Sequence, residues 1–108
     1  NGMIEVNKEN FEAEVLQASG PVLVDFWSEK CEPCMALVPE VEALSERYAA
    51  NMKFCKLNVL ENRRLSIGQK VLGLPTIIVY KNGEKMAELT KDEATAANIE
   101  SMIKGQIE

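Results

Sequence analysis

The chain contains no histidine and only three cysteines, and these scarcities exclude several kinds of site. Without histidine, neither a Ser-His nor a Cys-His nucleophile pair can form, nor can a Cys₂His₂ zinc site. Three cysteines cannot supply a Cys₄ zinc site, and they are too few for the disulfide framework of a small secreted domain. We therefore expect the cysteines to take part in a reaction rather than to hold the fold together.

Basic residues and long hydrophobic runs are also scarce. Twelve Lys and Arg against 17 Asp and Glu give a net charge of −5, which disfavours nucleic acid as a partner because its binders usually present a basic face. The most apolar stretch, 71–80, is half the length of a membrane-spanning helix and contains glycine and proline. The start of the chain lacks the basic and apolar regions of a signal peptide. We therefore expect no membrane partner and a cytoplasmic location.

The length of 108 residues and the 46% of hydrophobic residues fit a single domain with one core. We place this domain at 3–108 and expect it to be a monomer. Asn1 and Gly2, in front of Met3, are interpreted as a remnant of an expression tag.

The pattern of apolar residues predicts an α/β fold. Runs rich in β-branched and aromatic residues predict buried strands at 22–27, 52–59 and 75–80. Asn82-Gly83 predicts a hairpin that leads to a return strand at 86–89. Helical spacing predicts a helix that is capped by Asn7 and stopped by Ser19-Gly20-Pro21, and further helices at 35–48, 62–70 and 94–104. With one further strand expected before the first helix, the order is β-α-β-α-β-α-β-β-α, which is typical of a mixed central sheet covered by helices.

The same spacing predicts which helical side chains face the core. In the helix at 35–48, which Pro39 should kink, the recurring positions are Met35, Val38, Val41, Leu44, Ser45 and Tyr48. Leu65 and Ile67 are expected to point inward from the helix at 62–70. In the last helix the predicted inner face is Ile99, Met102 and Ile103.

Cys31 and Cys34 are separated by two residues and lie where an apolar strand gives way to a helix. The unpaired N–H groups and the dipole of a helix N-terminus favour negative charge, so Cys31 should ionise readily there. The thiolate is the nucleophile of thiol–disulfide exchange. Pro33 fits the first helical turn, where an N–H is not needed. We therefore assign Cys31 as the attacking thiol and Cys34 as the resolving thiol.

A Cys-x-x-Cys pair is also half of many zinc sites, so metal binding is an alternative. Such a site needs further ligands, and the only other cysteine is Cys55, in the middle of a predicted strand. Carboxylates would have to complete the site, and the spacing points to none. Cys55 is expected to be a small buried core residue. The position of the pair between a strand and a helix favours the redox interpretation.

Several motifs resemble those of the thioredoxin family, in the family's order and spacing. They are VDFW at 24–27, CEPC at 31–34, KLN at 56–58, GLPT at 73–76 and KNGE at 81–84. The resemblance extends from Met3 to the end of the chain and implies a mixed five-stranded sheet flanked by four helices. It further implies a protein that reduces disulfides in partner proteins and binds no cofactor. Its dithiol would be restored by a flavin-containing, NADPH-dependent thioredoxin reductase.

The resemblance also implies roles for four other residues. Pro75 corresponds to the family's cis-proline, which holds substrate backbone beside the dithiol; without the resemblance, a trans proline at a strand start would be expected. Asp25, the one charged residue in 22–27, is either exposed or the family's buried aspartate that moves a proton for the second cysteine. Burial would bring the pKa of Asp25 toward neutrality. Lys56 matches the lysine near that aspartate, and Trp27 matches the tryptophan that packs against the active site.

The chain departs from the family pattern around the dithiol. Lys30 and Glu32 replace the second tryptophan and the glycine of WCGPC. Glu32 should repel the neighbouring thiolate and Lys30 should attract it, so their effects on the reduction potential oppose each other. Leu89-Thr90-Lys91-Asp92 occupies a loop that commonly carries glycine in the family. The residues expected to contact substrate are Trp27, Lys30, Glu32, Gly73, Leu74, Pro75 (cis) and Lys91.

These replacements resemble those of specialised thioredoxins that serve glycine reductase systems in amino-acid-fermenting anaerobes, so glycine reductase components are candidate partners. Two other functions remain open at this point. An oxidase or isomerase of the same fold would run the chemistry in reverse, although such enzymes work in oxidising compartments. A thioredoxin-fold subunit that docks onto one dedicated enzyme, or relays electrons to it, would use the altered groove and the acidic surface.

Overall fold

A central sheet of five strands, in the spatial order β1-β3-β2-β4-β5, organises the computed structural model, which describes residues 2–108. Asn1, half of the expected tag remnant, lies outside the described residues. The strands are β1 (Met3–Val6), β2 (Pro21–Trp27), β3 (Lys53–Asn58), β4 (Thr76–Lys81) and β5 (Glu84–Thr90). The pairs β1·β3 and β2·β3 are parallel, whereas β2·β4 and β4·β5 are antiparallel. The predicted mixed five-stranded sheet is thus confirmed.

Four helices cover the sheet, as expected. They are a π-helix (Glu12–Leu16), α1 (Glu32–Arg47), α2 (Arg63–Gly68) and α3 (Ala96–Ile107). Short 3₁₀ turns at Val59–Glu61 and Lys91–Glu93 precede α2 and α3. The predicted hairpin is also confirmed, because Asn82 and Gly83 both have positive φ, 55° and 81°, as a type I′ turn requires.

The alternation of side chains along β2 divides the core into two layers. Val22, Val24 and Phe26 pack with residues of the π-helix on one face of the sheet. Leu23 packs on the opposite face with residues of α1 and α3. Asp25 lies two residues beyond Leu23 and therefore points to the face that α1 covers. This alternation places a carboxyl group under the helix that carries the cysteines.

The first helix differs in type from the prediction. The expected cap is present: Asn7 Oδ1 accepts the N–H of Asn10 at 3.2 Å, and Asn10 Oδ1 accepts the N–H of Asn7 at 2.7 Å. The following turn is nevertheless a π-helix, with the N–H of Gln17 donating to the carbonyl of Glu12 at 2.8 Å. Apolar spacing identifies the buried positions of so short a segment, but it does not determine which carbonyl each N–H reaches.

Two expected core residues are exposed instead. Met35 is 44% exposed because the inner face of α1 follows Cys34, Leu37, Val41, Leu44 and Ser45, and Met35 lies about 100° of helical rotation from Cys34. Ile67 is 67% exposed, whereas Leu65 packs against the core. Residues two apart on a helix do not share a face, so α2 cannot bury both of them.

Candidate active site

The strand-to-helix turn after β2 places Cys31 at the N-cap of α1. The N–H of Cys31 donates to the carbonyl of Ser28 at 3.1 Å, and Ser28 Oγ accepts the N–H of Lys30 at the same distance. Pro33 occupies the first helical turn, where its missing N–H leaves no carbonyl unpaired. Cys31 Sγ accepts the N–H of Cys34 at 3.2 Å, so the sulfur takes the place that a capping oxygen usually fills.

A disulfide joins Cys31 and Cys34, whose Cα atoms are 5.2 Å apart. The two residues differ sharply in access to solvent, because Cys31 is half-buried and Cys34 is only 1% exposed. Cys34 faces the sheet one turn into α1, whereas Cys31 lies at its tip. An external molecule can therefore reach Cys31 more readily than Cys34.

Asp25 is buried in the central strand, not at an edge, with 3% of its surface exposed. Its Oδ1 has no hydrogen-bond partner among the described residues. Burial raises the pKa of Asp25 to about 7, and the positive charge of Lys56, its register partner on β3, opposes that rise. The site therefore contains a carboxyl group that changes its protonation near neutral pH.

Trp27 ends β2 opposite Asn58 of β3 and is half-buried. Its Nε1 is buried without a hydrogen-bond partner in the described part of the chain. Asn58 holds the neighbouring loops together, since its amide donates to Glu29 Oε1 at 3.1 Å and its Oδ1 accepts the N–H of Leu60 at 3.0 Å. The indole thus lies at the end of the strand that leads to the cysteines.

A groove of about 380 Å³ lies between the first turn of α1 and the loops that flank β4 and β5. Its lining consists of Pro33, Leu74, Pro75, Lys91, Asp92, Ala94 and Thr95. The Leu74–Pro75 peptide bond is cis, as the resemblance implied. The fold therefore brings two prolines to one concave surface: Pro33, which precedes Cys34 in the chain, and the cis-proline Pro75.

Lys91 occupies this groove in a backbone conformation that favours glycine, with φ of 56°. Its N–H donates to the carbonyl of Pro75 at 2.8 Å. Its side chain lies over Gly73, in the space that a Cβ on that glycine would need. The loop is held further by Thr76, whose Oγ1 donates to the carbonyl of Gly73 at 2.6 Å. The long cation thus forms part of the groove wall.

Most of the expected substrate-contacting residues are gathered at this groove. Leu74, Pro75 and Lys91 line it, and Gly73 lies under the side chain of Lys91. Lys30 and Glu32 are exposed on either side of Cys31, whereas Trp27 is not part of the lining. Sequence reasoning missed Thr95 as a lining residue; its position as the N-cap of α3, where its Oγ1 accepts the N–H of Asn98, was the available signal.

Cys55 is completely buried in the core layer on the side of the π-helix. Burial raises the pKa of its thiol to about 11. It is a structural residue, as expected. Within residues 2–108, no group of three or more Cys, Asp or Glu side chains is arranged to hold a metal ion. In the same residues no helix is both long and apolar enough to cross a membrane.

These features define a class of protein: a thiol–disulfide oxidoreductase with its cysteine pair at the start of a helix and a cis-proline beside it. The family model for thioredoxin matches residues 2–105. The chain is 55% identical over 105 residues to a thioredoxin of Acetoanaerobium sticklandii, covering 97% of this chain and all of that protein. It is 52% identical over 101 residues to a thioredoxin of Peptoclostridium acidaminophilum, with 94% and 92% covered.

A thioredoxin of Pseudomonas aeruginosa is 37% identical over 98 residues, which cover 87% of this chain and 91% of that protein. The chain belongs to the thioredoxin family. Cys31 and Cys34 form its redox-active pair. Membership implies disulfide-containing substrates and a thioredoxin reductase as the general kinds of partner.

Proposed function

We propose that residues 3–108 act as one thioredoxin domain that reduces disulfides of partner proteins in the cytoplasm as a monomer. The observation that carries this proposal is the unequal exposure of the linked cysteines, with Cys31 half-buried and Cys34 1% exposed. It supports Cys31 as the attacking residue and Cys34 as the resolving one. A dithiol that donates electrons, together with the free thiol of Cys55, fits a compartment that is kept reducing.

In the first step the Cys31 thiolate attacks one sulfur of the partner's disulfide. A bond forms between Cys31 Sγ and that sulfur, the partner's S–S bond breaks, and the other sulfur leaves as a thiolate that takes up a proton. The N–H of Cys34, which lies 3.2 Å from Cys31 Sγ in the disulfide, is well placed to stabilise a negative charge on that sulfur.

In the second step Cys34 resolves the mixed disulfide. Asp25 accepts the thiol proton of Cys34, the new thiolate attacks Cys31 Sγ, and the second partner sulfur leaves as a thiolate. The partner gains two electrons and ends with two thiols, while this chain ends with the Cys31–Cys34 disulfide. Because burial raises the pKa of Asp25 to about 7 against the opposing charge of Lys56, the carboxylate is a suitable base near neutral pH.

The groove beside Pro75 is the proposed binding site for the partner's backbone. Pro33, Leu74 and Pro75 provide an apolar floor that adjoins the dithiol. Lys91 narrows this floor and adds a positive charge to its wall. Lys30 and Glu32, which are exposed beside Cys31, would contact the part of the partner that lies near its disulfide. Trp27, at the end of β2, supports the turn that carries the cysteines.

Trapping of the mixed disulfide tests the roles of the two cysteines. All variants carry Cys55→Ala, so that only the active pair reacts. With a small protein that has an accessible disulfide, Cys34→Ser should accumulate a covalent adduct, because the resolving thiol is missing. Cys31→Ser should accumulate none. Equal adduct in the two variants, measured by intact mass, would contradict the assignment.

The reduction potential tests the direction of the reaction. Equilibration of the pair with a glutathione or dithiol buffer should give a value near ~−270 mV, as in thioredoxin. A value near ~−180 mV or above would instead support the oxidase or isomerase alternative.

We further propose that glycine reductase components are dedicated partners of this chain. Support comes from the replacements at Lys30, Glu32 and Lys91, which resemble those of the specialised thioredoxins of that system. The dithiol form should reduce purified glycine reductase components with a higher kcat/KM than it shows for a general protein disulfide. A variant with Lys30→Trp, Glu32→Gly and Lys91→Gly should lose that preference. Equal kcat/KM values for the two substrates would contradict a dedicated role.

A further inference from the structure

The groove beside Pro75 continues along the surface past α2. Leu74, which lines that groove, also lines a second depression of about 110 Å³ with Val59, Ser66 and Val71. Those three residues share a third depression of about 180 Å³ with Leu60 and Arg63. Leu60 and Arg63 in turn line a fourth, of about 320 Å³, that reaches Arg64 and Lys8. We name the last three depressions together the α2 groove.

Apolar side chains are unusually exposed along the α2 groove. Leu72 is 89% exposed and Ile67 is 67% exposed, and these are the two highest values among the large apolar residues that the structure describes. Both side chains line the groove. The two residues line depressions that share Val59, Ser66 and Val71, so they belong to one surface patch, which is the kind of feature that apolar side chains of a partner can cover.

The charge of this surface is opposite to that of the whole chain. Three basic residues line the α2 groove (Lys8, Arg63 and Arg64), against one acidic residue (Glu61), although acidic residues outnumber basic ones 17 to 12 in the sequence. The ion pairs found within residues 2–108 involve other basic residues, namely Arg47, Lys53 and Lys85. The guanidinium groups of Arg63 and Arg64 are therefore available to a partner.

We propose that the α2 groove is a docking surface for an extended segment of a redox-partner protein in which carboxylates alternate with apolar side chains. Carboxylates would pair with Arg63 and Arg64, while apolar side chains would cover Ile67 and Leu72. The occupant is a redox partner because the groove joins, at Leu74, the floor that leads to the dithiol. This inference rests on the proposed function and extends it to residues well away from the cysteines.

Peptides with a defined arm test the proposal. Each carries one cysteine, activated as a mixed disulfide with thionitrobenzoate, and an arm of about ten residues, whose extended reach of roughly 33 Å spans the protein. The arms alternate leucine with Glu, Gln or Lys, and are attached on either side of the cysteine. Release of thionitrobenzoate by the dithiol form measures kcat and KM for each peptide.

On one side of the cysteine, the arm that contains Glu should lower KM about five-fold relative to the arm that contains Gln, with little change in kcat. This is the effect expected for two exposed ion pairs. The Lys arm should raise KM, and high salt should remove the differences. Arg63→Glu with Arg64→Glu should abolish the preference. Lys81→Glu with Lys104→Glu, which makes the same change of charge at exposed positions outside the groove, should retain it.

Equal KM values for the Glu and Gln arms, or a preference that survives in the Arg63 and Arg64 variant, would overturn the proposal. A dimer in sedimentation that only this variant loses would assign the groove to a second copy of the chain and would also overturn it. Binding of the same arms with serine in place of cysteine, measured by fluorescence anisotropy, follows docking alone. Failure to reduce any peptide would therefore count against the proposed function, separately from the docking.

Discussion

Replacing Asp25 with asparagine should make the oxidised protein more stable relative to the wild type as the pH rises from about 4 to about 7. Asp25 is 3% exposed, and its Oδ1 has no hydrogen-bond partner within residues 2–108. Burial raises the pKa of this carboxyl from 3.8 to about 7, even though the charge of Lys56 acts in the opposite direction. The folded protein therefore holds the proton more tightly than the unfolded chain does.

The raised pKa makes the folded state less stable as the pH increases. Between about pH 4 and pH 7 the unfolded chain has lost this proton while the folded protein keeps it, so the free energy of unfolding falls by about 1.4 kcal/mol per pH unit. Above the folded pKa of about 7, Asp25 is ionised in both states and the loss levels off. The total is about 4 kcal/mol, which corresponds to a pKa displaced by about 3.

Urea unfolding of the oxidised wild type and Asp25→Asn, from about pH 4 to about pH 9, measures this effect. The oxidised form is used because neither Cys31 nor Cys34 then titrates. Asparagine resembles the protonated carboxyl, so the stability of the variant relative to the wild type should rise by about 1.4 kcal/mol per pH unit up to pH 7 and then stay constant. Asp92→Asn makes the same change of charge at an exposed position and serves as the control.

The test depends on how the stability difference between Asp25→Asn and the wild type changes with pH. The part of this difference that is constant with pH does not test the reasoning. The asparagine amide adds buried donors, and each one left unsatisfied costs about 1–3 kcal/mol at every pH. A stability difference between Asp25→Asn and wild type that does not vary between pH 4 and pH 7 would refute the reasoning. It would mean that Asp25 binds its proton equally well in the folded and unfolded states.

Three further predictions concern other parts of the molecule. Ile99→Ala should lower the free energy of unfolding by about 3 kcal/mol because Ile99 is fully buried. Ile67→Ala, at a residue 67% exposed, should change it by less than about 0.5 kcal/mol, and similar losses at both sites in urea unfolding would contradict the assigned layers. Lys91→Gly should stabilise by about 1 kcal/mol because glycine tolerates a positive φ, whereas Lys91→Ala should give no such gain in the same assay. Cys55, whose thiol pKa is raised to about 11 by burial, should resist iodoacetamide in the folded oxidised protein and react once guanidinium unfolds it; rapid labelling of the folded form, detected by mass spectrometry, would contradict its burial.

Local patterns predicted the elements of this fold well because each depends on neighbours in the chain. The cap at Asn7 and the turn at Asn82-Gly83 follow from the side chains and backbone freedom of those residues. The strand centred on Asp25 was recognisable from its β-branched and aromatic neighbours. The pattern did not distinguish a π-helix from an α-helix after Asn10, since that choice concerns hydrogen-bond partners one residue apart.

Two residues that were predicted to face the core are exposed, because spacing along the chain does not by itself give the angle of a residue around the helix axis. Ile67, two positions after Leu65, cannot share its face, and Met35 follows a residue that is already on the inner face of α1. Both side chains are exposed on the surface. The exposure of Ile67 matters most, because it forms part of the surface proposed for docking.

By itself the sequence indicated the chemistry, since two cysteines at a strand-to-helix junction favour thiol–disulfide exchange, and the lack of histidine excludes a Cys-His pair. The tertiary structure decided how that chemistry is controlled. Only the packed sheet removes water from Asp25 and so raises its pKa to about 7, and only the fold brings Pro33, Pro75 and Lys91 to one groove from distant parts of the chain. Desolvation and the meeting of loops depend on many residues at once, and no local pattern contains them.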